Sequence, residues 1–405
     1  MSETVRRLMT ALVLILMGCA LGVVVTYRGL APAAESVTAS EEIRQGQEKY
    51  AEIMGMVDQY FIGDDVDMTQ VNDAMASGVI AGLGDRWSYY VSAEDYQAYQ
   101  ENINNAYVGV GITIQAKYLE DGALQGYEVV DVTGGGPAEE AGVLAGYVLT
   151  QVDGTSVSEI SLTEVKNMVK GQEGTTVELV FLTESDTYKT FVVERRALTL
   201  IPAEGQLLDG NVGYITIDNF DASCAETVIG LIEDLEAQGA EYLLFDVRNN
   251  PGGLKTELTA LLDYLLPDGI IFHTLNYAGE EDIIYSDASC VELPMAVLLN
   301  ASSYSAAEYF ACAIQEYGAG VVVGEHTFGK GYYQVGLTLS DGSAVNLSIG
   351  KYFTPNGESL IDVGVTPDIA LELDDDQATA LAQNRLDPEE DPQIQAALIA
   401  LHDGT

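Results

Sequence analysis

Basic residues are scarce in this chain of 405. Lys and Arg number 17 against 63 Asp and Glu, a formal net charge of −46. Such a surface repels phosphate backbones and anionic headgroups, which argues against nucleic acid as a partner. Cysteine occurs four times, at Cys19, Cys224, Cys290 and Cys312. Cys19 falls in an apolar run, and the other three are an odd set without metal-like spacing, so neither a disulfide framework nor a zinc site is supplied. Cys224 and Cys312 fall in expected helices and read as core packing. Histidine is scarcer still, at His273, His326 and His402. Only His326 lies near other candidate groups, so a Ser–His–Asp triad is poorly supplied. There is no glycine-rich loop ending in Lys-Ser/Thr and no ligand cluster, so no metal or organic cofactor is implied.

Charge is missing altogether from residues 8–27, which are mostly apolar. At about 1.5 Å per residue a helix of that length spans roughly 30 Å, enough to cross a bilayer. Arg6 and Arg7 precede it, which places the N-terminus in the cytoplasm and the bulk of the chain outside. Ala31-Pro-Ala-Ala34 offers a rival reading as a signal-peptidase site. Leu16-Met-Gly-Cys19 resembles a lipoprotein box, although the apolar run continues past the cysteine. The length of the run favours an uncleaved single-pass anchor in the cell membrane.

What is present suffices for more than one domain. After a short linker, residues 41–61 read as an amphipathic helix on Ile43, Tyr50, Ile53, Met54, Val57 and Phe61. Thr69 to Leu83 reads as a second helix, ended by Gly84, and Asp95 to Asn104 as a third. These precede any chemistry and suit packing or a homodimer. From 106 to 197 short strands dominate: Gly109 to Ile114, Tyr127 to Val132, Tyr147 to Val152 and Val177 to Phe181. Two short helices, Pro137 to Ala141 and Leu162 to Val169, lie between them. From 198 onward strands alternate with helices, the pattern of an α/β domain. Residues 376–405 are acidic and carry an apolar helix near Ile394 to Leu401.

Two stretches carry chemistry. In Asn300-Ala-Ser-Ser-Tyr-Ser305-Ala306-Ala-Glu308 a strand ends and a helix begins. A helix N-terminus presents unpaired N–H groups and partial positive charge. A Ser305 hydroxyl there can attack a carbonyl while the Ala306 amide faces the developing oxyanion. Ser305-x-x-Glu308 is equally a capping box. The second stretch is Thr327-Phe-Gly-Lys330-Gly-Tyr-Tyr-Gln334. Among eight lysines only Lys330 sits between two glycines just after a strand. As a base it must be neutral before attack, and burial lowers its pKa because the ammonium loses hydration. The plain alternative is a solvated loop lysine. A third segment, Asn249-Asn-Pro-Gly252-Gly253, follows an apolar strand and frees amides for an anion or a carbonyl oxygen, or is an ordinary turn.

Together, Asp246-Val-Arg-Asn-Asn-Pro-Gly-Gly253, Asn300 through Glu308, and Gly324-Glu-His-Thr-Phe-Gly-Lys330-Gly closely resemble the carboxyl-terminal processing peptidases, tail-specific serine proteases with a PDZ domain. Gly84-Asp-Arg-Trp-Ser-Tyr-Tyr90, Gly109-Val-Gly-Ile112, Gly136-Pro-Ala-Glu-Glu-Ala-Gly142, Phe353-Thr-Pro-Asn-Gly357 and Gly364-Val-Thr-Pro-Asp368 fit the same family, in order, over roughly residues 41–400. The resemblance implies a crotonase/ClpP-like α/β protease core with an inserted PDZ-like β-rich domain. It makes Ser305 the nucleophile, Lys330 the general base and Gln334 the residue that orients the lysine. The oxyanion hole falls to the amides of Ala306, Gly252 and Gly253. Gly109, Val110, Gly111 and Ile112 are expected to take a substrate's C-terminal carboxylate while the peptide adds a strand. Lys170 stands where peptide-activated relatives carry an arginine, without the planar two-point fork.

The expected domains are a cytoplasmic stub and anchor (1–30), a linker and helical segment (31–105), a PDZ domain (106–197), a Ser–Lys protease core (198–375) and a helical tail (376–405). The expected function is an exported, membrane-tethered endopeptidase that acts on polypeptides through their C-termini. The alternative is a non-catalytic PDZ adaptor on a degenerate protease fold. A Ser–His hydrolase using His326 is a third, weaker reading. The substrate, whether in signalling, envelope quality control or precursor processing, is not named by these residues.

Overall fold

The structure, a computed structural model, describes residues 41–403 apart from 64, 120, 121, 184 and 384. The expected membrane span over 8–27 and its two rivals lie outside the described residues. Among the described residues no helix is long and apolar enough to cross a membrane. The chain divides into two compact units, residues 1–71 and 72–405. In the first, the helix Glu41–Tyr60 forms as its periodicity predicts, and none of its residues is buried.

In the second unit, six strands form an antiparallel sheet: Ile112–Tyr118, Leu124–Val132, Val148–Val152, Thr176–Leu182 and Tyr188–Glu194 in that order, with Thr155–Ser156 also paired to Val148–Val152. The helix Leu162–Val169 starts at Ser161, whose capping box with Glu164 is complete. Such a box satisfies two otherwise orphaned donors. Val129, Leu149, Val165, Leu179 and Phe181 build a core of their own beneath this sheet. Where the chain enters and leaves this region, Ala106–Gly109 pairs antiparallel with Arg196–Thr199. Entry and exit therefore lie side by side, which is the geometry of an inserted module.

The rest of the unit is built on a six-stranded sheet. Its edge strand Ala203–Leu208 is antiparallel to Val212–Ile217. From there Val212–Ile217, Tyr242–Asp246, Met295–Leu299, Gly320–Gly324 and Ile369–Ala370 run parallel. Parallel strands are covered on both faces and so read as continuous apolar runs. Met295–Leu299 is buried at every position. Leu243, Phe245, Val297 and Leu299 point to one face, among residues of the helices Cys224–Gln238, Lys255–Leu265 and Ala306–Glu316. Leu244, Ala296 and Leu298 point to the other, against Ile394, Ala397 and Leu401 of the helix Pro392–Asp403. The acidic tail thus ends in a helix that closes the sheet's second face.

A further antiparallel sheet has no counterpart in the sequence reading. It joins Tyr89–Val91, Ala344–Phe353, Gly269–Asn276 and Glu281–Ser286, with Tyr332–Thr338 also paired to Ala344–Phe353. Most of Ala344–Phe353 is only half-buried, although Val345-Asn-Leu-Ser-Ile349 alternates apolar and polar residues.

Candidate active site

The three candidate loops leave the carboxyl ends of adjacent parallel strands. Tyr242–Asp246 leads to the loop of Gly252 and Gly253, Met295–Leu299 to Ser305, and Gly320–Gly324 to Lys330. The crevice beyond those ends is where open α/β sheets bind ligands. Two loops are zipped together. Asn249 N–H donates to Asn300 Oδ1 at 3.0 Å, Asn300 Nδ2 to Asn249 Oδ1 at 2.9 Å, and Tyr304 N–H to the Asn250 carbonyl at 3.2 Å.

Ser305 precedes the helix Ala306–Glu316 with φ 61° and ψ −121°. A non-glycine residue in that region is strained by about 1–3 kcal/mol and persists only where its surroundings hold it. Its N–H donates to Glu308 Oε2 at 3.0 Å. The helix behind it is buried from Ala306 to Ile314, so the serine stands on a rigid element. Gly252 packs directly on it. A Cβ there would lie 2.7 Å from Ser305 Cβ and 2.8 Å from the Ala306 nitrogen, and the residue's φ is +93°. Only glycine meets both demands.

Lys330 follows Gly329, whose φ is +86° and whose absent side chain leaves room for the Gly364 nitrogen. Burial pulls the Lys330 amine down to about 8, against the opposing pull of Glu308 and Asp85. That is the state a lysine base needs near neutral pH. The described residues give its Nζ no hydrogen bond. It lies instead 4.6 Å from the centre of the Trp87 ring.

Ser305, Lys330, Gln334, Gly252, Gly253 and Ala306 line one cavity of about 710 Å³. Its apolar wall includes Leu258, Phe272 and Tyr309. The Gly252 N–H is already engaged, donating to Asn250 Oδ1 at 2.8 Å. Gly253 forms a parallel bridge with Phe220 in which Phe220 N–H bonds the Gly252 carbonyl and Leu254 N–H the Phe220 carbonyl. That pattern leaves the Gly253 amide out of the bridge, next to the N-terminus of the helix Lys255–Leu265. Gln334 uses its Nε2 on the Tyr332 carbonyl at 3.2 Å and on Ser348 Oγ at 3.0 Å, not on Lys330.

The remaining candidates lie elsewhere. Gly109, Val110, Gly111 and Ile112 and Lys170 are not on the cavity wall. The Val110 carbonyl accepts Ala138 N–H at 2.8 Å and the Gly111 carbonyl accepts Thr133 N–H at 3.1 Å, which fixes that loop. Lys170 Nζ stands 3.7 Å from Glu101 Oε2. His326 is exposed, with Nδ1 3.3 Å from Thr366 Oγ1, and does not reach the cavity.

Three participants escaped the sequence reading. Glu308 is fully buried and binds both loops. Asn250 occupies the Gly252 amide. Trp87 covers the lysine from a segment far upstream. The Glu308 signal was present, since its capping-box position was legible, but its partners in the Lys330 loop were not.

Residues 211–371 match peptidase family S41, and residues 128–183 match the PDZ domain. The carboxyl-terminal-processing protease of Synechocystis sp. is 35% identical over 187 residues, 45% of this chain and 44% of that protein. The chloroplastic carboxyl-terminal-processing peptidase 2 of Arabidopsis thaliana is 30% identical over 304 residues, 72% of this chain and 59% of that protein. The chain thus spans roughly half the length of such relatives. A solved S41-type structure from Bacteroides fragilis superimposes with a TM-score of 0.56 at 17% identity, over 85% of this chain and 93% of that one, and so shares the fold. The three loops converge within the stretch 211–371 that matches peptidase family S41, and the stretch 128–183 that matches the PDZ domain holds the central strands Val148–Val152 and Thr176–Leu182 of the antiparallel sheet over 112–194.

Proposed function

We propose that this chain is a serine endopeptidase with a Ser305–Lys330 dyad that cleaves polypeptides near their C-termini. One observation carries the reading: Ser305 and a desolvated Lys330 share a single cavity with the Gly253 and Ala306 amides. Ser305 Oγ attacks the scissile carbonyl while its proton passes to the neutral Lys330 amine. The carbonyl oxygen becomes an oxyanion that the Gly253 and Ala306 amides receive, with Gly252 joining when Asn250 yields its bond. The C–N bond then breaks, and the Lys330 ammonium returns the proton to the leaving amine. Water, deprotonated by Lys330, hydrolyses the acyl ester and frees Ser305. Gln334 has a side-chain oxygen left to steady the lysine.

The names of the relatives support the C-terminal substrate class. In this reading the Gly109–Ile112 loop takes the substrate's terminal carboxylate, and Lys170 answers to the bound peptide. The α/β core is of crotonase/ClpP type, residues 8–27 tether the exported chain to the cell membrane, and the helices over 41–83 support a homodimer. The test uses the full chain and an unfolded protein substrate. Cleavage is expected from the wild type and from neither Ser305→Ala nor Lys330→Ala. Undiminished cleavage by either variant refutes the dyad, and no cleavage by the wild type favours the non-catalytic adaptor.

A further inference from the structure

Lys330 is flanked by Gly329 and Gly331, so its immediate chain neighbours supply no side chain to shield the amine. The shield comes from Trp87, the sole tryptophan of the chain. Lys330 Nζ lies 4.6 Å from its ring centre. The indole is held edge-on by Phe328, with centres 5.4 Å apart, and leans on Tyr304, the neighbour of the nucleophile, at 5.9 Å. Its segment is pinned to the sheet that carries Gln334. Trp87 N–H donates to Asp85 Oδ1 at 3.1 Å, and Ser88 Oγ donates to Asp85 Oδ2 at 2.6 Å. Ser88 Oγ accepts Ser348 N–H at 3.0 Å, and Ser348 Oγ accepts Gln334 Nε2 at 3.0 Å.

Resting on the Ser–Lys reading above, we propose that Trp87 is a positioning residue: its indole face seats the Lys330 amine in the cavity shared with Ser305 and keeps water from it. The ring acts in two opposed ways. Its electron-rich face attracts an ammonium, while its bulk removes the hydration an ammonium needs. Burial is the leading influence on Lys330, and the ring 4.6 Å from its Nζ is one of the groups that bury it. Glu308 and Asp85 pull the other way. Arg86, Asp221 and Lys255 line the same cavity, and Tyr352 donates its hydroxyl to the Lys330 carbonyl. Arg86 also lies 5.1 Å from the Trp87 ring centre, but it is nearer Phe328, at 4.3 Å, and keeps that contact when residue 87 alone is changed.

The test measures kcat and KM against pH on the full 405-residue chain, together with tryptophan emission. Trp87→Leu keeps an apolar cover but loses the aromatic face, and the ascending limb is expected to move down by up to about one pH unit. Trp87→Ala admits water, and the limb is expected to move up by about one unit. In that variant kcat at neutral pH falls about tenfold with KM little changed. In the wild type the emission titrates with the kinetic midpoint, and in Lys330→Met that titration disappears. Flat wild-type emission, or limbs of both variants that coincide with the wild type, overturns the proposal and leaves the dyad standing if Ser305→Ala and Lys330→Ala are inactive. Wild-type cleavage by Lys330→Met overturns both. Should a variant at position 87 fail to fold, the wild-type emission decides alone: a matching midpoint upholds the contact and a flat signal removes it.

Discussion

Ser305 and Lys330 donate their backbone N–H groups to the same oxygen, Glu308 Oε2, each at 3.0 Å. The other oxygen, Oε1, accepts Thr327 Oγ1 at 2.5 Å and Gly329 N–H at 2.6 Å. One fully buried carboxylate therefore sets the spacing of the two loops that hold Ser305 and Lys330, the proposed nucleophile and base. Glu308→Gln removes the charge and turns an NH₂ donor toward two of those donors. Hydrogen bonds to a charged group contribute about 1.5–3 kcal/mol each. The variant is expected to lose about 2–4 kcal/mol of stability on that count. Displacing the loops by an ångström is expected to lower kcat about a hundredfold. Steady-state kinetics alongside thermal melting checks this, and an unchanged kcat contradicts it.

The pH dependence follows from Lys330. As the proposed base it must be uncharged, and burial pulls its folded value down to about 8. At pH 7 about a tenth of the enzyme then holds a neutral amine, against less than a thousandth for an ordinary lysine near 10.4. Below that value kcat/KM is expected to rise about tenfold per pH unit and to level above it. Stability carries the same sign. Because the folded value is depressed, the unfolded chain binds more protons between about 8 and the ordinary lysine range. The destabilisation is full below the folded value and is relieved as pH rises toward the unfolded one. A kcat/KM profile that falls with pH through this window refutes the assignment.

The site's loops were legible because the strands before them are buried on both faces and written in unbroken apolar residues, as in Leu243-Leu244-Phe245 and Met295–Leu299. A change from such a run to Asn, Gly and Ser marks a strand's end wherever the chain lies in space. The antiparallel sheet behind the cavity gave no such sign. It gave another that the reading passed over: Val345, Leu347 and Ile349 alternate with Asn346, Ser348 and Gly350, the two-residue period of a strand. Trp87 reaches Lys330 and Asn250 reaches Gly252 by contacts that depend on tertiary placement or on a local side-chain turn, and neither has a period to read. Gln334 was legible as a neighbour of the lysine, but its bonds run to Tyr332 and Ser348.

Arg248, at the root of the Gly252 loop, ties that loop to the C-terminal helix. Its Nη1 donates to Asp391 Oδ2 at 2.7 Å and to Gln393 Oε1 at 2.8 Å, while Nε and Nη2 grip Asp246 at 2.9 and 2.6 Å. Arg248 and Asp391 side chains are each 1% exposed. Asp391 Oδ1 also accepts the N–H groups of Gln393 and Ile394 at 2.9 and 3.3 Å, capping the helix that closes the sheet's second face. Removing one member of a buried pair leaves a guanidinium short of a partner, at a cost of about 3–5 kcal/mol, and the lost cap adds about 1 kcal/mol. Asp391→Ala is expected to lower the urea midpoint of this unit accordingly, followed by the emission of Trp87, which lies within it. Asp391→Asn keeps the cap and is expected to lose less. Because Arg248 adjoins Asn249 and Asn250, a freed guanidinium also loosens the Gly253 amide, so kcat should fall further than KM rises in the folded Asp391→Asn protein. Equal midpoints for Asp391→Ala and the wild type would show that the tail helix does not brace the Gly252–Gly253 loop.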